Sequence, residues 1–252
     1  MKIPVFSIIL FIFSGSIAFA QPGLFPELRS AIYRVEQPGL YEGTAIMFSE
    51  KPYNFLITNL HVVKNDSNEV CDSLFLYMNH IADNKEVISG PDHVTLYLRT
   101  PINTYYFEPY SGDVDLILIS LGTNNMSEKP KGTKFNRIFT SKIPNSVQIA
   151  SLVGSNSIFT AIGYPTKRII PAQYPRYPEY RWGRIVGRDS IFLKMDIPIL
   201  PGSSGSPIFV QDGQNYFFVG IVTLLVDGVC HALRASEIRN CFPRYFLYMN
   251  RH

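Results

Sequence analysis

The hexapeptide Gly202-Ser203-Ser204-Gly205-Ser206-Pro207 sets a serine beside glycines. On so tight a turn Ser204 can present its hydroxyl outward. The glycine two residues earlier lets backbone N–H groups converge above it. One short segment thus offers a nucleophile and a cradle for a developing oxyanion, the two needs of attack on a carbonyl. A nucleophilic hydroxyl also needs a base. Phe55-Leu56-Ile57-Thr58-Asn59-Leu60-His61-Val62-Val63 runs an apolar strand into a histidine at a bend, followed by two valines. Held that way, one ring nitrogen is presented outward to accept a proton. His80, His93, His231 and His252 have no comparable setting. The base in turn needs an acid to fix its tautomer. Ser111-Gly112-Asp113-Val114-Asp115-Leu116-Ile117-Leu118-Ile119 supplies carboxylates at the head of an apolar run. Asp113 and Asp115 share a face of an extended chain, so spacing leaves both open. Asp115 abuts the apolar run, and burial favours it. Histidine, aspartate and serine follow in one of the chain orders in which this triad recurs. A Gly-x-Ser-x-Gly elbow is excluded, since Ser206 stands two past Ser204 and His61 comes first.

These residues need a rigid scaffold, and the chain reads as β-structure. Short apolar runs recur between turn residues: 31–35, 43–48, 55–58, 94–98, 116–121, 147–152, 159–162, 191–195, 208–210 and 216–225. Their length and spacing predict sandwiches or barrels rather than a parallel α/β sheet. A helix is expected only near the C-terminus, from about Ala235 to Met249, with Pro243 interrupting it. The polar segment Gly122 to Pro144 reads as the connection between two β halves. Tyr164 to Arg181 interleaves four prolines with four tyrosines and carries Lys167, Arg168, Arg176 and Arg181. Proline at that density prevents a sheet ladder, so a long extended loop is expected, either a solvated surface or a substrate-facing rim.

Met1-Lys2, an apolar stretch from Val5 to Phe13 and Ala18-Phe19-Ala20 have the layout of a secretory signal peptide, with cleavage after Ala20. The apolar run is too short to span a bilayer comfortably, and no later segment is long and apolar enough. A secreted or periplasmic chain, residues 21–252, without stable membrane insertion is therefore expected. Lys and Arg exceed Asp and Glu by only 23 to 20, which argues against nucleic acid as a partner. Charged residues make up 17% against 46% hydrophobic, a balance that buries a core. Cys71, Cys230 and Cys241 are too few for a disulfide framework, although an oxidising compartment would allow Cys230 and Cys241 to pair. No clustered His/Cys spacing points to a metal, and no cofactor is expected.

Thr58-Asn59-Leu60-His61-Val62-Val63, Asp115-Leu116 and the Ser204 hexapeptide resemble the three signature blocks of trypsin/chymotrypsin-like serine peptidases. The closest branch is the bacterial Deg/HtrA-type enzymes. Their approach to the nucleophile is similar to Asp196-Ile197-Pro198-Ile199-Leu200-Pro201-Gly202, and flanking strands match Ala161-Ile162-Gly163-Tyr164-Pro165 and Gly220-Ile221-Val222-Thr223. The resemblance covers most of residues 30–236, with a poor fit between His61 and Asp115 and in the Tyr/Pro loop. It implies an all-β chain of two six-stranded antiparallel barrels, about 30–125 and 145–236, then a helix at about 235–249. It also implies a secreted serine endopeptidase acting on protein or peptide through His61, Asp115 and Ser204 in the inter-barrel cleft. The N–H groups of Gly202 and Ser204 would form the oxyanion hole. Ser203 stands where trypsin-like zymogens carry an acid, so activity without an activating cut is expected beyond signal removal. The chain ends soon after the second barrel, so the PDZ modules of that branch are not expected. Pro198 and Ile199 fall where trypsin-like enzymes have a pocket-floor acid. Thr223-Leu224-Leu225 would form a pocket wall, with Leu225 where many relatives have glycine. The pocket so narrowed would take small or medium aliphatic side chains. The rival reading is a catalytically inactive binding module on the same scaffold, against which the full triad argues.

Overall fold

The computed structural model describes residues 26–38, 41–82, 86–109, 114–128, 134–153, 157–166, 176–213 and 215–250. The expected signal segment, Asp113 and the central part of the Tyr/Pro loop lie outside them. One sheet is built from β1 (Ile32–Glu36), β2 (Glu42–Glu50), β3 (Tyr53–Thr58), β4 (Ser73–Ile81), β5 (Val87–Tyr97), β6 (Tyr106–Phe107), β7 (Ile117–Ser120) and β8 (Ile138–Phe139). Their order is β5-β4-β1-β2-β3-β7-β6, with β8 parallel to β2. The other holds β9 (Phe159–Gly163), β10 (Glu179–Gly183), β11 (Ile185–Arg188), β12 (Phe192–Met195), β13 (Pro207–Asp212), β14 (Asn215–Val226) and β15 (Val229–Arg234). Its order is β10-β9-β13-β14-β15-β12-β11, paired antiparallel. The strand numbers exceed six per sheet for simple reasons. β6 and β8 are two residues each, and only Arg184 separates β10 from β11.

The apolar runs in the sequence are continuous because both faces of the central strands are covered. In β2, Ala45 and Met47 point into the first sheet's own core, whereas Ile46 and Phe48 point into a second core between the sheets. Leu56 of β3 and Ile117 and Ile119 of β7 join the first core; Phe55, Ile57 and Leu118 join the shared one. From the other side β13 and β14 send Phe209, Phe218 and Ile221 into the shared core and Ile208, Val210, Val219 and Val222 into their own. Two barrel interiors and one inter-barrel core are filled by the same strands, and the docking that results fixes the cleft.

Helices α1 (Pro26–Ser30), α2 (Ser146–Leu152) and α3 (Ala235–Met249) complete the chain. The expected strand at 147–152 is instead α2. Asn145 Oδ1 accepts from the Gln148 N–H at 2.9 Å and Gln148 Oε1 accepts from the Asn145 N–H at 2.9 Å. That reciprocal cap satisfies two orphan donors and overrides the β-like pattern of Val147, Ile149 and Leu152. α3 runs through Pro243 without a break. The missing hydrogen bond, about 3 kcal/mol in an exposed helix, is offset by burial of Ile238, Cys241, Phe242 and Tyr245 on the shared core. Phe55 is the anchor, with the Tyr245 and Phe242 rings at 5.0 and 5.4 Å. The three cysteines are free thiols, so Cys230 and Cys241 do not pair. Cys230 lies inside the second barrel, where burial pushes its thiol up to about 12. The Tyr/Pro loop is shorter than expected, since Glu179–Gly183 pairs with β9. Arg176 is no surface cation either, being buried and anchored to β5 by two backbone bonds with Ser89. Among the described residues no helix is long and apolar enough to cross a membrane.

Candidate active site

β3 ends at Thr58, and the next residues form a single 3-10 turn, Leu60–Val62. Leu60 and Val62 are buried in the first barrel, so the turn is pinned on both sides of His61. The histidine ring is left half exposed, at 51% of its side chain. That is the one position of the turn from which a ring can face the cleft.

Asp115 sits between buried Val114 and Leu116 and is a quarter exposed. Its carboxylate receives His61 twice. Oδ1 accepts from the His61 backbone N–H at 2.9 Å, and Oδ2 lies 2.5 Å from Nδ1. Asn59, fully buried, donates Nδ2 to the Asp115 carbonyl at 2.9 Å and to Thr223 Oγ1 at 3.5 Å. Backbone and side chain of the acid are therefore both held from the turn that carries the base. With Nδ1 facing a carboxylate, the proton resides on Nδ1 and Nε2 is left as the acceptor. Nε2 lies 2.8 Å from Ser204 Oγ. The three residues expected to act together are brought together.

Ser204 lies on the turn leading into β13, where Gly202 and Gly205 have φ of +84° and +81°. Both are left-handed conformations that residues with a Cβ adopt at a cost of about 1–2 kcal/mol. Gly205 is constrained twice over, since a Cβ there would collide with the Thr44 carbonyl and Thr58 Oγ1. Its N–H donates to the Val222 carbonyl at 2.9 Å. β2 grips the turn from the other barrel. The Thr44 N–H donates to the Ser204 carbonyl at 2.8 Å, and Thr44 Oγ1 donates to the Gly202 carbonyl at 3.2 Å. The same Oγ1 accepts from the Tyr164 N–H at 3.0 Å. Ser203 is buried, and its Oγ accepts from the Leu200 N–H at 3.2 Å. It closes the turn locally and offers no charge to an incoming amine.

The Thr166 N–H holds the Pro201 carbonyl at 2.7 Å. The Pro201–Gly202 peptide is trans, so the Gly202 N–H points in the opposite direction to the Pro201 carbonyl, within the peptide plane. Among the described residues neither it nor the Ser204 N–H donates a hydrogen bond to the protein. Two unengaged backbone donors flanking the nucleophile in sequence can stabilise negative charge developing on a carbonyl oxygen.

The residues expected to line a substrate pocket are dispersed. Pro198 is exposed, and its carbonyl accepts from Arg181 Nη1 at 3.2 Å. Ile199 packs partly against the second barrel core. Thr223 is buried and turned toward Asn59, supporting the acid. Leu225 is 51% exposed, and Leu200, Leu224 and Val226 are exposed too. Sequence reasoning gave no role to Asn59 or Thr44. Asn59 stands two residues before His61, where a buried amide is a readable sign of a local clamp. Thr44 carries no such sign, because its partners are 120 and 158 residues away.

No protein-family model and no curated protein matches the sequence. Among solved structures, a Glu endopeptidase determined in complex with MPD superposes with a TM-score of 0.55 at 16% identity, over 89% of this chain and 92% of its own. The serine endoprotease from Yersinia pestis superposes with a TM-score of 0.52 at 18% identity, over 86% of this chain and 63% of its own. At such identities the likeness is one of fold. The two antiparallel sheets and C-terminal helix form a chymotrypsin-like two-barrel fold, the fold of serine endopeptidases.

Proposed function

We propose that this chain is a secreted serine endopeptidase, of the Deg/HtrA type, that cleaves peptide bonds through an acyl-enzyme. The carrying observation is the relay itself: Asp115 Oδ2 at 2.5 Å from His61 Nδ1, and His61 Nε2 at 2.8 Å from Ser204 Oγ. In the proposed cycle Ser204 Oγ attacks the scissile carbonyl carbon while His61 Nε2 takes its proton. The carbonyl oxygen becomes an oxyanion received by the Gly202 and Ser204 N–H groups. Collapse of the tetrahedral species breaks the C–N bond, and His61 returns its proton to the leaving amine. Water then repeats the sequence on the ester, releasing the acid and restoring Ser204. Asp115 keeps the ring in the productive tautomer and stabilises the imidazolium.

Cleavage is proposed to follow small or medium aliphatic residues, on the strength of the exposed apolar side chains of Leu200, Leu224 and Leu225. One structural neighbour is named as a Glu endopeptidase, and acidic specificity is the alternative. The Arg181 guanidinium beside Pro198 is already engaged by Glu179, at 2.6 Å, which favours the aliphatic reading.

One preparation tests these points together. Expressed from its full reading frame, the protein is expected outside the cytoplasm beginning at Gln21, labelled by a fluorophosphonate, and unlabelled as Ser204→Ala. A peptide-library digest is expected to show aliphatic residues before the cut. Absence of labelling beside a reactive control protease would leave the inactive binding module standing. Labelling that survives in Ser204→Ala would remove the site assignment. A start other than Gln21 would refute the leader, and cuts after glutamate would refute the pocket.

A further inference from the structure

Glu42, at the start of β2, carries a carboxylate only 14% exposed. Its Oε2 accepts two donors at once: the Arg176 guanidinium and, at 3.1 Å, the hydroxyl of Thr166. The Arg176 side chain is 9% exposed. Its backbone is held to β5 by reciprocal bonds with Ser89 of 2.8 and 2.9 Å. A buried ion pair adds little net stability, because desolvation of both charges offsets their attraction. The pair lies in a line of contacts, however, that ends at the nucleophile turn. Thr166 is held by Glu42 through its hydroxyl, and its N–H binds the Pro201 carbonyl at 2.7 Å. That bond sets which way the Pro201–Gly202 peptide faces.

A peptide of this kind has two orientations. With the carbonyl on Thr166, the Gly202 N–H faces the oxyanion site. Rotated by half a turn, the carbonyl would fill that site and repel the developing charge. Gly202 has no Cβ to oppose the rotation, and Ser203 offers no carboxylate for an amine to clamp. We propose that Glu42, clamped by Arg176, is a positioning residue that holds the oxyanion-hole peptide in its donating orientation through Thr166. The inference rests on the peptidase reading above for its catalytic consequence, but its structural content stands without it. Control of the hole thereby passes from an activating cut to a charge pair shared by barrel one and the C-terminal part of the Tyr/Pro loop. The turn itself lies on barrel two.

Thr166→Val tests this with the ion pair left intact, and Glu42→Gln tests it with the acceptor oxygen kept and the charge removed. Removal of an oxyanion donor outright costs about 100- to 1,000-fold in kcat. A donor that is present but loosely oriented is expected to cost less, about 10- to 100-fold. Both variants are expected to keep KM within about twofold of wild type and to lose affinity for a peptide aldehyde in parallel with kcat. Thr166→Ser is expected to restore both. In glycine-labelled protein the Gly202 amide is expected to shift and to exchange faster in Thr166→Val. Unchanged kcat and aldehyde affinity in that variant, or a loss carried wholly by KM, would overturn the proposal. If wild type neither labels nor cleaves, the peptidase reading falls and the Gly202 amide alone decides. An amide unmoved by Thr166→Val then refutes the network.

Discussion

The acid–base pair and the nucleophile turn are built on opposite principles. His61 and Asp115 belong to one barrel, and the contacts that fix their pairing run mainly within it: Leu60 and Val62 in the core, Asn59 on the Asp115 carbonyl, the His61 N–H on Oδ1, with only the 3.5 Å bond from Asn59 to Thr223 Oγ1 reaching the other. Ser204 belongs to the other barrel, yet its turn is gripped from both, by Val222, Leu200 and Thr166 on its own side and by Thr44 of the first barrel on the Ser204 and Gly202 carbonyls. The relay is thus a local structure, whereas the nucleophile and its hole are assembled by docking. Damage to the relay should remove proton transfer and leave the fold and turn in place. Damage to the barrel junction should misplace Ser204 while the His61–Asp115 pair survives.

The largest effect expected is on the relay. Asp115→Asn keeps the shape of the acid but reverses its role toward Nδ1, turning the ring to the wrong tautomer. A loss of roughly 10,000-fold in kcat is expected, with melting temperature nearly unchanged. A modest loss here, with a large one in Asp113→Asn, would mean the other carboxylate is the partner. Next comes Gly205→Ala at the junction. A left-handed φ and a collision with the Thr44 carbonyl together are expected to cost about 3 kcal/mol of stability. Denaturant unfolding measures it. The downfield proton of the His61–Asp115 hydrogen bond should persist in the folded fraction while fluorophosphonate labelling is lost. Retention of both would show that the junction tolerates a side chain and that the turn is less tightly docked than its contacts imply.

The same contrast explains what could be read from the sequence. The His61 strand end, the Asp115 strand head and the Ser204 turn are each encoded within about ten residues, and local pattern suffices for them. The central strands were legible because burial on both faces makes them uniformly apolar. β10 and β11 were not, since their residues are only half-covered or exposed and they lie just beyond a proline-dense stretch. α2 was misread because a capping pair, rather than periodicity, decides it. The supports of the turn were invisible for a different reason. The side chains of Thr44, Thr166, Glu42 and Arg176 are joined by bonds that span 120 residues or more, and each is an ordinary polar residue in its own segment.

The smallest effect expected is the sharpest test of docking. Thr44→Val keeps the shape of the side chain and the backbone N–H that holds the Ser204 carbonyl. It removes only the hydroxyl that bridges the Tyr164 N–H and the Gly202 carbonyl. Leaving a buried N–H without a partner costs about 1–3 kcal/mol, part of which the turn can relieve by shifting. A fall in kcat of about tenfold is expected, that is about 1.4 kcal/mol at the transition state, with KM little changed. Thr44→Ser should recover most of it. The His61–Asp115 proton signal should be the same in all three proteins, because no contact of the relay passes through Thr44. Should that signal shift with Thr44→Val, the two halves of the site are coupled directly. Independence of relay and turn would then fail at its weakest point.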